Sequence, residues 1–190
     1  MLQSAAMKRG LALALLVLPM VAASAAAPEV EITSEPSHHL ALENEFVRVF
    51  KVEVAPHAAT LMHRHRHDYV FVTLGDAYVS NEAEGKPAVD LKLADGATSF
   101  VPGNFAHIAR NLAETPFRNV TIEILQDEKL RAAPSAGKKE SGEKAFAGRY
   151  NKILFVKDGV SVSEVDLDAG ATMPSHHHDG PHLVVAVSDL

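Results

Sequence analysis

The sequence predicts an all-β fold, and three observations carry that expectation. Short apolar runs alternate with period two, as half-buried strands do. Gly, Pro, Asn and Asp break those runs at short intervals, the pattern of a sandwich or barrel. Between Leu40 and Leu125 no stretch joins helical periodicity to helix caps. A chain of 190 residues, 47% hydrophobic and 22% charged, is long enough to bury one full core and too apolar to be wholly disordered.

At the N-terminus, residues 1–25 read as a cleavable signal peptide. Lys8 and Arg9 supply a positive n-region, Leu11 to Val21 an apolar core, and Ala23-Ser24-Ala25 a small-x-small cleavage site. The core is too short for a membrane anchor, so the mature chain is expected to be periplasmic or secreted, with no membrane association after cleavage.

Residues 26–125 form the expected β-barrel domain. Phe46 to Val54 alternates through most of its length. Tyr69 to Leu74 is β-branched and aromatic and stops at Gly75-Asp76. Ala88 to Leu93 stops at Asp95-Gly96, and Thr98 to Val101 stops at Pro102-Gly103-Asn104. Ala106 to Leu112 and Phe117 to Leu125 complete the set. Residues 126–150 are rich in Lys, Glu, Ala, Ser and Gly and read as a solvated linker.

Residues 151–190 repeat the first unit in part. Val165-Asp166-Leu167 and then His176-His177-His178 stand where Val52-Glu53-Val54 and then His63-Arg64-His65 stand earlier, both histidine pairs at one constant offset. Leu183 to Ala186 answers to Tyr69 to Val72 as a strand, and the first unit beyond Asp76 has no counterpart. Half a set of strands is expected to pack on a barrel edge or to stay poorly ordered. An exposed Val184-Val185-Ala186-Val187 strand would be adhesive, which makes a homodimer a candidate assembly.

Charge and composition narrow the function. A net charge of −6 gives no case for nucleic acid or anionic lipid as partner. With no Cys there is no disulfide, thiolate nucleophile or thiolate metal site. No phosphate loop, dinucleotide fingerprint or nucleophile elbow is present. The unusual feature is eleven histidines.

His63-Arg64-His65-Arg66-His67-Asp68 opens a strand. Residues two apart share a face, so His63 and His65 present two imidazoles to one cation and Asp68 adds a carboxylate. Such a donor set suits a divalent first-row metal: Fe, Mn, Zn, Cu or Ni. His63, His65 and His67 compete for two inward places. The first two are preferred, because Asp68 is directly adjacent to His67. Arg64 and Arg66 then face outward, and Tyr69 and Phe71 are expected on the outer sheet face. Arg110 is read as a surface ion-pair former. Downstream, Gly96, Pro102, His107 and Asn111 keep a second fixed spacing.

Together the two segments resemble the cupin family, whose first motif is G-x5-H-x-H-x(3,4)-E-x6-G and whose second is G-x5-P-x-G-x2-H-x3-N. His63, His65, Asp68 and Gly75 carry the first; Gly96, Pro102, His107 and Asn111 carry the second. Asp replaces Glu and stands one residue closer to His65 than the family has it. Asn104 replaces a Gly, and Asn is the ordinary residue most tolerant of a left-handed turn.

The resemblance implies a cupin-type jelly-roll β-barrel, followed by a partial second cupin-like unit. It further implies a divalent metal held by His63, His65, Asp68 and His107, with His67 as the alternate ligand. His176, His178 and His182 are the counterpart for a second site. Three functions fit: a small-molecule dioxygenase or isomerase, a non-catalytic module for metal or a small ligand, and a degenerate structural barrel. Fold likeness does not choose among them, and no catalytic acid or base is nominated.

Overall fold

A computed structural model describes residues 28–126, 149–157, 159–178 and 180–188. The expected leader (1–25) and nearly all of the expected linker (127–148) lie outside the described residues. Among the described residues no helix is long and apolar enough to cross a membrane.

The strands run in chain order as β1 (Val30–Glu31), β2 (His38–Glu43), β3 (Val47–Val54), β4 (His63–His65), β5 (Tyr69–Thr73), β6 (Ala77–Ala83), β7 (Val89–Leu93), β8 (Thr98–Val101), β9 (Phe105–Asn111) and β10 (Phe117–Ile124). A 3₁₀ turn at Ile32–Ser34 comes directly after β1. A separate hairpin is made by β11 (Arg149–Lys157) and β12 (Val160–Leu167). Two five-stranded sheets, in the orders β1-β4-β9-β6-β7 and β2-β3-β10-β5-β8, make up the barrel.

Alternation along β3 builds the core directly. Phe50, Val52 and Val54 point inward and meet Phe117 of β10, Ala77 and Val79 of β6, and Ile32 from the 3₁₀ turn. Leu91 and Leu93 of β7 pack against them. Burying this cluster fixes register, since a one-residue slip of β3 would turn Phe50, Val52 and Val54 to the other face of the sheet. The inward side of the barrel is therefore apolar around this cluster, while the stretch formed by β4 and β9 carries histidines.

Turn chemistry sets where β9 begins. Asn104 adopts a left-handed φ of 58°, the conformation the Gly-to-Asn replacement had to tolerate. Beside it, Gly103 passes so close to the His67–Asp68 peptide that a Cβ there would lie 2.7 Å from Asp68 N and from His67 O. Asp68 is buried, and its Oδ1 accepts the Gly103 N–H at 2.6 Å.

The second unit departs from expectation. Leu183 to Ala186 is not a strand; it runs irregularly and, with Val49 and Val120, lines a groove on the outer face of the second sheet. Phe155 of β11 meets Phe100 of β8 edge-on at 6.4 Å, and the Lys157 ammonium lies 4.8 Å from the same ring. Val49 and Val120 line that groove, and Val70 and Val72 are buried on the same face, away from the barrel core. Leu183 to Ala186 and Phe155 thus lie over part of one sheet face, where the expectation was extra strands on a barrel edge or poor order.

Candidate metal centre

β4 and β9 pair antiparallel with His63 opposite His107 and His65 opposite Phe105. That register puts three imidazoles on one inward patch. Ring centroids are 4.5 Å apart for His63–His107, 5.2 Å for His65–His107 and 5.2 Å for His63–His65. A fourth ring arrives from β2: His38 lies 4.6 Å from His63 and 6.1 Å from His65. One ligand atom from each of His38, His63 and His65 falls within 4.8 Å of the others.

Hydrogen bonds fix which nitrogen of each ring looks inward. His63 Nδ1 faces the Leu61 carbonyl at 2.9 Å, and His107 Nδ1 faces Asn81 Oδ1 at 2.5 Å. His38 Nδ1 faces the Glu35 carboxylate at 2.6 Å. In each case the acceptor calls for the proton on Nδ1, which leaves Nε2 with a bare lone pair. His107 Nε2 is 3.3 Å from His65 Nε2. With metal–nitrogen bonds of about 2.0–2.1 Å, two ligands stand about 3.0 Å apart at a right angle and about 3.4 Å apart at the tetrahedral angle.

Electrostatics favour the same state. Burial, reinforced by His38, lowers the His63 pKa to about 4. Burial, then His63 and His65, lowers that of His107 to about 2. Burial likewise drives His65 well below its ordinary value. At neutral pH all three rings are uncharged and offer lone pairs.

Three buried side-chain atoms among the described residues lack a hydrogen-bond partner: His63 Nε2, His65 Nδ1 and Glu123 Oε1. All three border this cluster. Buried polar groups without partners are costly, so their concentration at one place calls for an explanation. If His65 gives its Nε2 lone pair to an ion, its proton must sit on Nδ1. The nearest acceptor is then the orphaned Glu123 Oε1, 3.7 Å away. A cation would give the orphaned His63 Nε2 a partner, and the residues present fit a divalent metal.

Around the rings, Tyr69 stacks on His65 at 4.0 Å and 19°. It thus faces the centre and not the outer sheet face where the alternation argument put it. Glu123 is 1% exposed; burial raises its pKa, while Arg48 Nη1 at 3.3 Å opposes that shift. Sequence reasoning nominated no such buried carboxylate.

Of the residues expected to bind metal, His63, His65 and His107 come together. Asp68 spends one carboxylate oxygen on the Gly103 turn. His67 is half-buried and lines a cavity of about 40 Å³ with Glu31, Ile32, Arg48, Arg66 and Glu123. Arg64 pairs outward with Glu29 and Glu84, Arg66 with Glu31, and Arg110 with Glu82. Asn111 is structural: its Nδ2 donates to the carbonyls of Val54, Ala55 and Thr115.

In the second unit His176, His178 and His182 are exposed. His176 Nε2 and His178 Nε2 are 2.9 Å apart, and His182 stacks on His178 at 4.2 Å. His176 Nδ1 faces the Pro174 carbonyl, as His63 Nδ1 faces that of Leu61, two residues back in both cases.

Known structures share the barrel. A cupin domain from Bordetella pertussis Tohama I is 30% identical, matching 46% of this chain and 90% of its own, with a TM-score of 0.44. A protein with a double-stranded β-helix domain from Klebsiella pneumoniae is 20% identical over 48% of this chain and 74% of its own, with a TM-score of 0.41. An RmlC-like cupin from Methanocaldococcus jannaschii is 12% identical over 51% and 85%, with a TM-score of 0.42. No family model and no curated protein matches the chain.

Proposed function

The chain belongs to the cupin family, and on that premise we propose that it is an exported protein whose barrel holds one divalent first-row metal for small-molecule chemistry. The observation that carries this reading is the set of buried, uncharged imidazoles of His63, His65 and His107 beside three orphaned polar atoms. A bound divalent ion would supply Lewis acidity toward a small substrate. His63, His65 and His107 would hold it. Tyr69 fixes the His65 ring plane by stacking, Asn81 fixes the His107 tautomer, and Glu123 offers the carboxylate nearest His65. Oxidation of a small substrate by dioxygen, or its isomerisation, is the activity proposed. Iron, manganese, zinc, copper and nickel all accept imidazole donors.

The second reading is a module which binds metal without turnover, which the same buried imidazoles support equally. Elemental analysis of protein purified from its export compartment tests the shared premise. One metal per chain is expected, lost in His107→Ala. Substoichiometric metal, with no drop in Tm on adding EDTA, would overturn both readings. Oxygen uptake or turnover with small hydroxylated aromatics or keto acids then separates the first from the second.

A further inference from the structure

We propose that His38 completes the metal centre and that Glu35 is the residue that positions it. The inference deepens the metal-binding reading above and rests on it. His38 lies outside both histidine motifs. It is brought to the centre by strand pairing, His38 of β2 standing opposite Val52 of β3. Its side chain is 5% exposed, and its Nδ1 is committed to Glu35 at 2.6 Å. The nitrogen left to face His63 and His65 is Nε2.

Glu35 is built as an anchor. It is 3% exposed, and both oxygens are used. Oε2 accepts from Ser37 N–H at 2.9 Å as well as from His38, and Oε1 accepts from Leu61 N–H at 3.1 Å. The Leu61 carbonyl in turn holds His63 Nδ1 at 2.9 Å. One carboxylate therefore sets the His38 ring directly and reaches the His63 ring through residue 61. A carboxylate on the far nitrogen of an imidazole fixes its tautomer and makes the near nitrogen a stronger donor.

With Asp68 Oδ1 turned to Gly103, the donor set is drawn from imidazoles on β2, β4 and β9, with His38, His63 and His65 the three whose ligand atoms lie within 4.8 Å of one another. Such an all-nitrogen set favours Zn, Cu, Ni or Fe over the oxygen-seeking Mg and Ca. The segment running from the 3₁₀ turn into β2 is then part of the centre.

The test is titration of the full chain with Co²⁺ and, in competition with a chromophoric chelator, with Zn²⁺. Glu35→Gln should weaken Zn²⁺ about 10–100-fold. His38→Ala should weaken it as well and shift the Co²⁺ visible spectrum, since one nitrogen donor is gone. His38→Ala keeps the Glu35 bonds to Ser37 and Leu61, so it serves even where Glu35→Gln fails to fold. A role confined to closing the barrel would lower Tm and leave the Co²⁺ spectrum of the folded protein alone. Wild-type affinity and spectrum in both variants, with binding lost in His63→Ala, would overturn the inference and leave the three-histidine reading standing. Wild-type binding in His63→Ala too would remove the reading on which it rests.

Discussion

Acid should destabilise the metal-free protein well before ordinary carboxylates titrate. The perturbation is a shift from pH 7.5 to pH 5 with chelator present. His63 has its pKa lowered to about 4 in the folded chain, against 6.5 as its ordinary value. The unfolded chain then binds the proton first, so stability is full above pH 6.5 and drains away as pH falls toward 4. At one pKa unit per 1.36 kcal/mol, His63 alone removes about 2 kcal/mol by pH 5. Its ring is completely buried, so solvent does little to soften that figure. His107 and His65 act with the same sign. Glu123 works the other way: its raised pKa favours the folded state on acidification. Glu35, held low by His38, Leu61 and Ser37 against its burial, contributes mainly below this window. Against a typical total of about 5–15 kcal/mol, the loss is large. Urea midpoints at the two pH values measure it, and saturating Zn²⁺ should raise stability further at pH 7.5. A difference below about 1 kcal/mol, near the error of extrapolation, would refute the claim that these rings are buried and neutral.

Two further outcomes are expected. Gly103→Ala puts a methyl group against backbone atoms of His67 and Asp68 that cannot swing away, so it should cost about 1–3 kcal/mol; an unchanged melting temperature would count against the close packing described. Removing residues 149–188 uncovers the apolar outer face around Val49, Val70, Val72 and Val120, and light scattering should detect association; a monodisperse barrel would mean that this segment covers little.

Much of this centre is legible in the sequence because motif spacing and strand register are the same fact written twice. His63 and His65 share a face by period two, and the turn through Asn104 sets His107 opposite His63. The features that escaped are those that depend on partners. β2 (His38–Glu43) is exposed along nearly all its length and shows no alternation, so neither the strand nor His38 announces itself. β6 breaks the apolar pattern because Asn81 is needed under His107. Asp68 carries the right charge near the right place. Only the fold reveals that one of its oxygens is drawn to the turn before β9.

The repeat makes the same point by contrast. His176 and His178 keep the spacing of His63 and His65, and His176 even keeps the carbonyl two residues back. Yet residues 171–178 form no strand, whereas β4 lies hydrogen-bonded between β1 and β9. Without neighbours to exclude water, the rings of the second unit stay exposed, with ordinary solvation competing for their lone pairs. Spacing brings two imidazoles to one side of a chain. Burial then strips them of protons and of water, and only that second step makes a cation the partner they lack.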